Sequence, residues 1–262
     1  MTHHDREGNS NHVKSVMKAF LIMEELDKYG ELSIGDLSER LMMDKATVHR
    51  LINTLKAAGY VNQNQDNKKY SNSLKLLAMG NRVMEKMGVK HITKPFILEL
   101  AEKTGETINL GIRVGNKIIY IDKLESNSTI KVGLGIGTSV PIYCSGLGKA
   151  ILSHTAEEEL QNILDSISLV QYTDRTITKK ALLMEELERI RERGYSIDDE
   201  EYVVGLICIA APIFDYHGNP VAAISISSPK YRYDEDRHLE FYSGLVVKAS
   251  RKISAMQGYK AV

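Results

Sequence analysis

The spacing of apolar residues changes once along this chain, and that change limits the fold more than any other feature. Val13, Val16, Met17 and Phe20 recur at helical spacing, as do Ile34, Leu37 and Leu41, and then Val48, Leu51, Ile52 and Leu55. From Ile108 the period is two. Ile108, Leu110, Ile112 and Val114 alternate with Thr107, Asn109, Gly111 and Arg113, and Gly115-Asn116 separates this run from Lys117 to Leu124, which spells an antiparallel hairpin. A chain of 262 residues holds a small and a medium domain with separate cores. Between them Leu74, Leu77, Ala78, Val83, Met84 and Met87 keep helical spacing and precede Gly88, so the connection is expected to be a helix and not a disordered linker. The organisation this implies is a flexible tail at 1–11, a first domain at 12–72, a connecting helix at 73–88 and a second domain at 89–262.

Further strands are expected at Thr129 to Leu134, Ile207 to Pro212 and Val221 to Ser227. Helices are expected near His91 to Thr104, Ser145 to Ser153, Glu157 to Ser166, Lys179 to Arg193 and Glu235 to Met256. Strands grouped in hairpins, without the alternating order of a doubly wound sheet, make the class α+β. No run of about 18 apolar residues exists and the stretch from Met1 to His12 is polar, so neither a membrane span nor a signal peptide is expected and the chain is read as cytoplasmic. Cys144 and Cys208 lie apart without any CxxC pair, which suits reduced thiols better than disulfides or a zinc site.

Net charge is zero, yet it is unevenly spread. Between Lys45 and Tyr70 the cations Lys45, Arg50, Lys56, Lys68 and Lys69 face only Asp66, whereas Glu24 to Glu39 is strongly acidic. A locally basic segment suits a phosphate-facing element. In the same region Ser15 is read as the cap of a first helix that ends at Gly30 in a left-handed conformation. Ser33 and Asp36 form a capping-box-like start for a second helix ending near Leu41, and Asp44 caps a third that runs to Ala58. So tight a turn between two short helices is a helix-turn-helix. With the apolar stripe buried, Ala46, His49, Arg50 and Asn53 share the opposite face and Lys45 and Thr47 occupy the first turn, side chains that suit base edges and phosphates. Tyr60 to Gln63, the turn Asn64 to Asn67, and Lys68 to Ser71 read as a β-hairpin wing carrying Lys68 and Lys69. Helix pairs of this size also serve as dimerisation or docking modules.

The run from Asp36 to Val61 resembles the DNA-binding motif of the IclR family of bacterial transcription regulators. Two positions depart from it: Met42 stands where a turn glycine is usual, at a cost of roughly 1 kcal/mol if the backbone is left-handed, and Ala46 stands where serine is common. The stretch from Asp198 to Ile213, followed by Val221 to Ser227, is similar to the family's effector-domain signature, and Ser145 to Ala150 resembles its pocket-closing loop and helix start. The resemblance implies a winged helix-turn-helix, a connecting helix and a GAF-like effector-binding domain whose antiparallel sheet is flanked by helices. It also implies a double-stranded operator, a homodimer or dimer of dimers with the connecting helix contributing to dimerisation, and effector contacts at Gly146, Leu147, Asp198, Leu206, Cys208, Ser225 and Ser227.

The residues themselves allow more than one reading of that pocket. Gly146 and Gly148 at a helix start leave amides that could meet an anionic ligand, or merely permit tight packing. Ser225 and Ser227 share a strand face with Ala223, either for a ligand or for neighbouring backbone. Asp198 disfavours an adjacent carboxylate, which points to a small hydroxy or oxo acid, sugar-derived acids included. A cysteine hydrolase using Cys208 with His217 or His154 is the enzyme alternative, set against by the apolar strand around Cys208. A docking adaptor without DNA is another. Neither a P-loop nor a GxGxxG spacing is present, no HExxH occurs, and neither cofactor nor metal is expected.

Overall fold

The computed structural model describes residues 12–85, 88–126 and 134–260, and divides into two compact units that meet in sequence at Met84 and Glu85. The expected tail at 1–11, residues 86 and 87 of the connecting helix, and the strand expected at Thr129 to Leu134, Leu134 excepted, lie outside the described residues.

The first unit runs α1 (Lys14–Tyr29), α2 (Ile34–Arg40), α3 (Lys45–Ala57), β1 (Val61–Gln63), β2 (Tyr70–Asn72) and α4 (Leu74–Glu85). Ser33 and Asp36 form the full capping box, each side chain accepting the other's amide. Asp44 caps α3 through the Thr47 amide at 2.8 Å. The core gathers Ile22, Leu26, Leu37, Val48, Ile52, Val61 and Tyr70. Three local expectations need correction. Ser15 caps nothing, because α1 begins at Lys14 behind Val13 and has no side-chain cap. Gly30 has φ +76° but ψ −116°, outside the left-handed helical region. Val13, Val16, Met17 and Phe20 do not face the core but are 48–64% exposed, since periodicity reveals an apolar face and not what covers it.

The second unit runs α5 (Gly88–Thr104), β3 (Thr107–Val114), β4 (Lys117–Leu124), β5 (Ser139–Pro141), α6 (Gly146–Leu152), α7 (Glu157–Ser166), α8 (Lys180–Arg193), β6 (Ser196–Asp199), β7 (Leu206–Phe214), β8 (Pro220–Pro229) and α9 (Glu235–Met256). Gly88 opens α5 here instead of ending its predecessor. The strands form one sheet in the order β5-β4-β3-β8-β7-β6, every pair antiparallel. One face packs Leu147, Ile151, Leu160, Leu164, Leu183 and Leu187 of α6, α7 and α8. The other packs Ile97 and Leu100 of α5 and Tyr242, Val246 and Ile253 of α9 against Ile209, Ile224 and Ile226. Strand alternation thus divides each strand between two cores, and the polar positions of the first face form the site.

Candidate functional site

In the first unit, burial of Val48, Leu51, Ile52 and Leu55 turns Lys45, Ala46, His49, Arg50 and Asn53 to solvent, with Thr47 partly covered. Asn53 and His49, one turn apart, lie 3.3 Å from each other. The turn before α3 places Met42 at φ +49° with its side chain 93% exposed, so the left-handed backbone that favours glycine is present with methionine. In the wing, Lys68 and Lys69 precede β2 and belong to the connecting turn, Lys68 at φ +57°. Glu31 accepts from Asn64 and Asn67 at 3.1 and 2.8 Å and so fastens that turn to the helical core. These two hydrogen bonds, Asn67's the stronger, hold the Glu31 carboxyl below its ordinary value. Behind Arg50 an apolar groove of about 650 Å³ opens between α1, α3 and α4, lined by Val16, Phe20, Leu55, Tyr60 and Met79.

In the second unit, register brings the expected pocket residues together. Asp198 pairs with Cys208, Cys208 with Ser227, and Ser227 with Thr107 across four strands; the next row joins Ser196, Ala210, Ser225 and Asn109. Asn109 donates to Ser227 Oγ at 3.0 Å and to Ser225 Oγ at 3.3 Å, and Ser227 Oγ donates to Cys208 Sγ at 3.1 Å. Leu206 borders a cavity of about 10 Å³ with Thr107, Asn109, Tyr120, Lys123, Leu134 and Ser227, room for about one water molecule. Asn109 and Thr107 were missed as site residues, although their place on the polar side of an alternating strand opposite two serines was the available signal.

Above this face, Ser145 caps α6 through the Gly148 amide at 3.2 Å. Gly148 is there for close packing, since a Cβ on it would collide with Ile142 O at 2.0 Å, whereas one on Gly146 would make ordinary contact with Cys208 Cβ at 3.4 Å. The amide of Gly146 favours a charge on Asp198, whose Oδ1 also accepts from Glu201 N at 2.9 Å. The chain's own carboxylate therefore stands beside the start of α6. Burial first, then the Glu201 charge, push Asp198 up to about 7, with Lys149 opposing. Lys149, 1% exposed, is ion-paired to Glu201 and donates to Ile197 O at 2.6 Å. Glu201 lay in the acidic run, but its buried partner was not legible from spacing.

The hydrolase alternative gains no geometry. Cys208 is buried, burial drives its thiol well up, and its sulfur accepts from Ser227 Oγ. His217 sits in the exposed turn held by Asp215, and His154 is turned to Ser153 and the edge of Phe214.

A recognition helix with a wing in one unit, and a polar pocket wall in the other, define a DNA-binding transcriptional regulator with a sensor domain. The model of the bacterial transcriptional regulator IclR C-terminal domain matches residues 81–255, and that of the IclR helix-turn-helix domain matches 15–65. The chain belongs to the IclR family. It is 38% identical over 259 residues to the HTH-type transcriptional regulator KdgR of Escherichia coli (strain K12), covering 99% of this chain and 98% of that protein. To the HTH-type transcriptional repressor AllR of the same strain it is 37% identical, with 95% and 92% covered. The crystal structure of the Thermotoga maritima IclR matches 95% of this chain and all of that one, with TM-score 0.76 and 33% identity. No helix among the described residues is long and apolar enough to cross a membrane.

Proposed function

We propose that residues 12–72 hold operator DNA and that a small hydroxy or oxo acid, bound by residues 89–262, controls that binding, with 73–88 joining the two. The observation that carries this reading is the buried cluster Asn109, Ser225, Ser227, Cys208 and Asp198, in two adjacent rows of the sheet, which brings hydroxyl, amide, thiol and carboxyl groups together on one face. Hydroxyls there suit the oxygens of an acid, and Asp198 suits a ligand hydroxyl donor. Repression is the favoured sense, since AllR is named a repressor. The exposed apolar residues of α1 and α4 support a homodimer or dimer of dimers, acting in the cytoplasm without catalysis, cofactor or metal.

The test is a thermal-shift screen of the purified chain against carboxylic acids of central metabolism, followed by operator release with each acid that binds. A ligand at 100 times its dissociation constant adds about 2.7 kcal/mol. Ser225→Ala with Ser227→Ala should weaken the response by about 1 to 3 kcal/mol and leave ligand-free operator affinity unchanged. Gly146→Val is a poor probe, because its branched side chain would press on β7. Binding of the acid equally well to the double variant would remove this pocket.

A further inference from the structure

Two elements of the effector pocket also border a second and larger cavity. β7 carries Cys208 near one end and Pro212 and Phe214 at the other, and α6 starts at Gly146 and is capped by Ser153 beside His154. Around that far end lies a hollow of about 370 Å³ whose wall includes His154, Arg191, Arg193, Phe214, Arg251 and Tyr259. Its aromatic side is braced: Phe214 stacks on Tyr259 at 4.9 Å, and His154 meets Phe214 edge-on at 5.0 Å.

The charges are unbalanced. Arg193 is ion-paired to Glu186 at 2.7 Å. Arg191 donates through Nε to Ser153 O at 2.7 Å. Neither Arg191 nor Arg251 has a carboxylate partner among the described residues, and Glu192 is the one acidic side chain in the wall. An adjoining hollow shares Arg193 and Arg251 and adds Lys248 and Lys252. Arginines around a concavity whose wall holds one carboxylate, Glu192, offer forked donors that match phosphate oxygens. The volume is that of a metabolite site.

We propose that this cavity binds a small metabolite bearing a phosphate or pyrophosphate group, as a second ligand separate from the acid of the effector pocket. Because Arg191 holds the carbonyl that ends α6, an anion drawing on Arg191 acts on the helix whose start forms the first pocket. The proposal does not depend on the acid-effector reading.

Isothermal calorimetry of the full chain with inorganic pyrophosphate, at ionic strength matched with chloride, tests it. Wild type should bind saturably. Arg251→Ala should weaken binding about tenfold by removing a charge-assisted donor pair, and Arg251→Glu should abolish it. Arg251 is exposed and has no ion-pair partner among the described residues, so both variants are expected to fold, and thermal midpoints without ligand check this. Ser225→Ala with Ser227→Ala should bind pyrophosphate as wild type does. Unchanged binding by Arg251→Glu would overturn the proposal and place the anion elsewhere, the DNA-facing helix included. So would sensitivity of duplex DNA binding, but not pyrophosphate binding, to Arg251→Glu, which would make this surface a DNA contact.

Discussion

At the start of α3, Asp44 accepts the Thr47 amide in open solvent; at the start of α6, Ser145 accepts the Gly148 amide inside a buried wall, with Asp198 beside it. The local chemistry is the same and the surroundings are opposite. Both starts are satisfied by the chain itself, but the exposed one leaves the side chains beside it free to meet another molecule, whereas the buried one is enclosed by its own wall. Side chains on the exposed face of α3 can therefore be changed with little effect on stability. Those around α6 are part of the fold and of the candidate site at once.

Breaking the buried side gives the largest effect. Lys149→Met leaves Glu201 buried and unpaired, and Glu201 Oε2 already has no hydrogen-bond partner. Urea denaturation should show a loss of about 3 to 5 kcal/mol, most of it recovered when Glu201→Gln is added. A double variant no more stable than the single one would mean that the pair is not what the charges stabilise.

On the exposed side, Arg50→Ala should cost about 1 to 3 kcal/mol of discrimination between operator and mutated operator. Its melting temperature should stay that of wild type. Lys68→Ala should instead weaken all duplexes alike and lower the salt slope by about one. Should Lys68 alter base preference and Arg50 not, the assigned face of α3 is wrong.

Asp198 sharpens the contrast through pH. Its folded value of about 7 lies above the ordinary 3.8, so the folded state holds the proton more tightly. Its stabilising contribution is full below about pH 4 and is lost as pH rises through about 7. Asp198→Asn should have no such slope and should exceed wild type above pH 7 by about 1 to 3 kcal/mol, read from denaturation midpoints across pH. Parallel curves for the two proteins would show Asp198 to be ionised throughout.

The smallest effect is expected in the turn before α3. Met42→Gly removes a strained left-handed residue whose side chain touches little. The gain, net of the freer unfolded chain, should be about 0.5 to 1 kcal/mol by calorimetry.

Sequence alone determined what depends on neighbours along the chain. The Ser33–Asp36 box, the Asp44 cap, the exposed face of α3 and the β3–β4 hairpin follow from side-chain type and spacing over a few residues, and the structure has them. The family resemblance brought Asp198, Cys208, Ser225 and Ser227 forward as one group. Only tertiary structure decided what lies opposite what. Ser196–Asp199 became a strand through pairing with β7, a strand that the sequence reading did not include. Lys149 found Glu201 across 52 positions, and the apolar stripe of α1 was left exposed while Ile22 and Leu26 entered the core. Asp198 came to lie beside the start of α6, a neighbour that spacing along the chain does not record. Such outcomes turn on burial and long-range register, where the free energy of a charge depends on the groups around it in space, and periodicity along a chain carries no record of those groups.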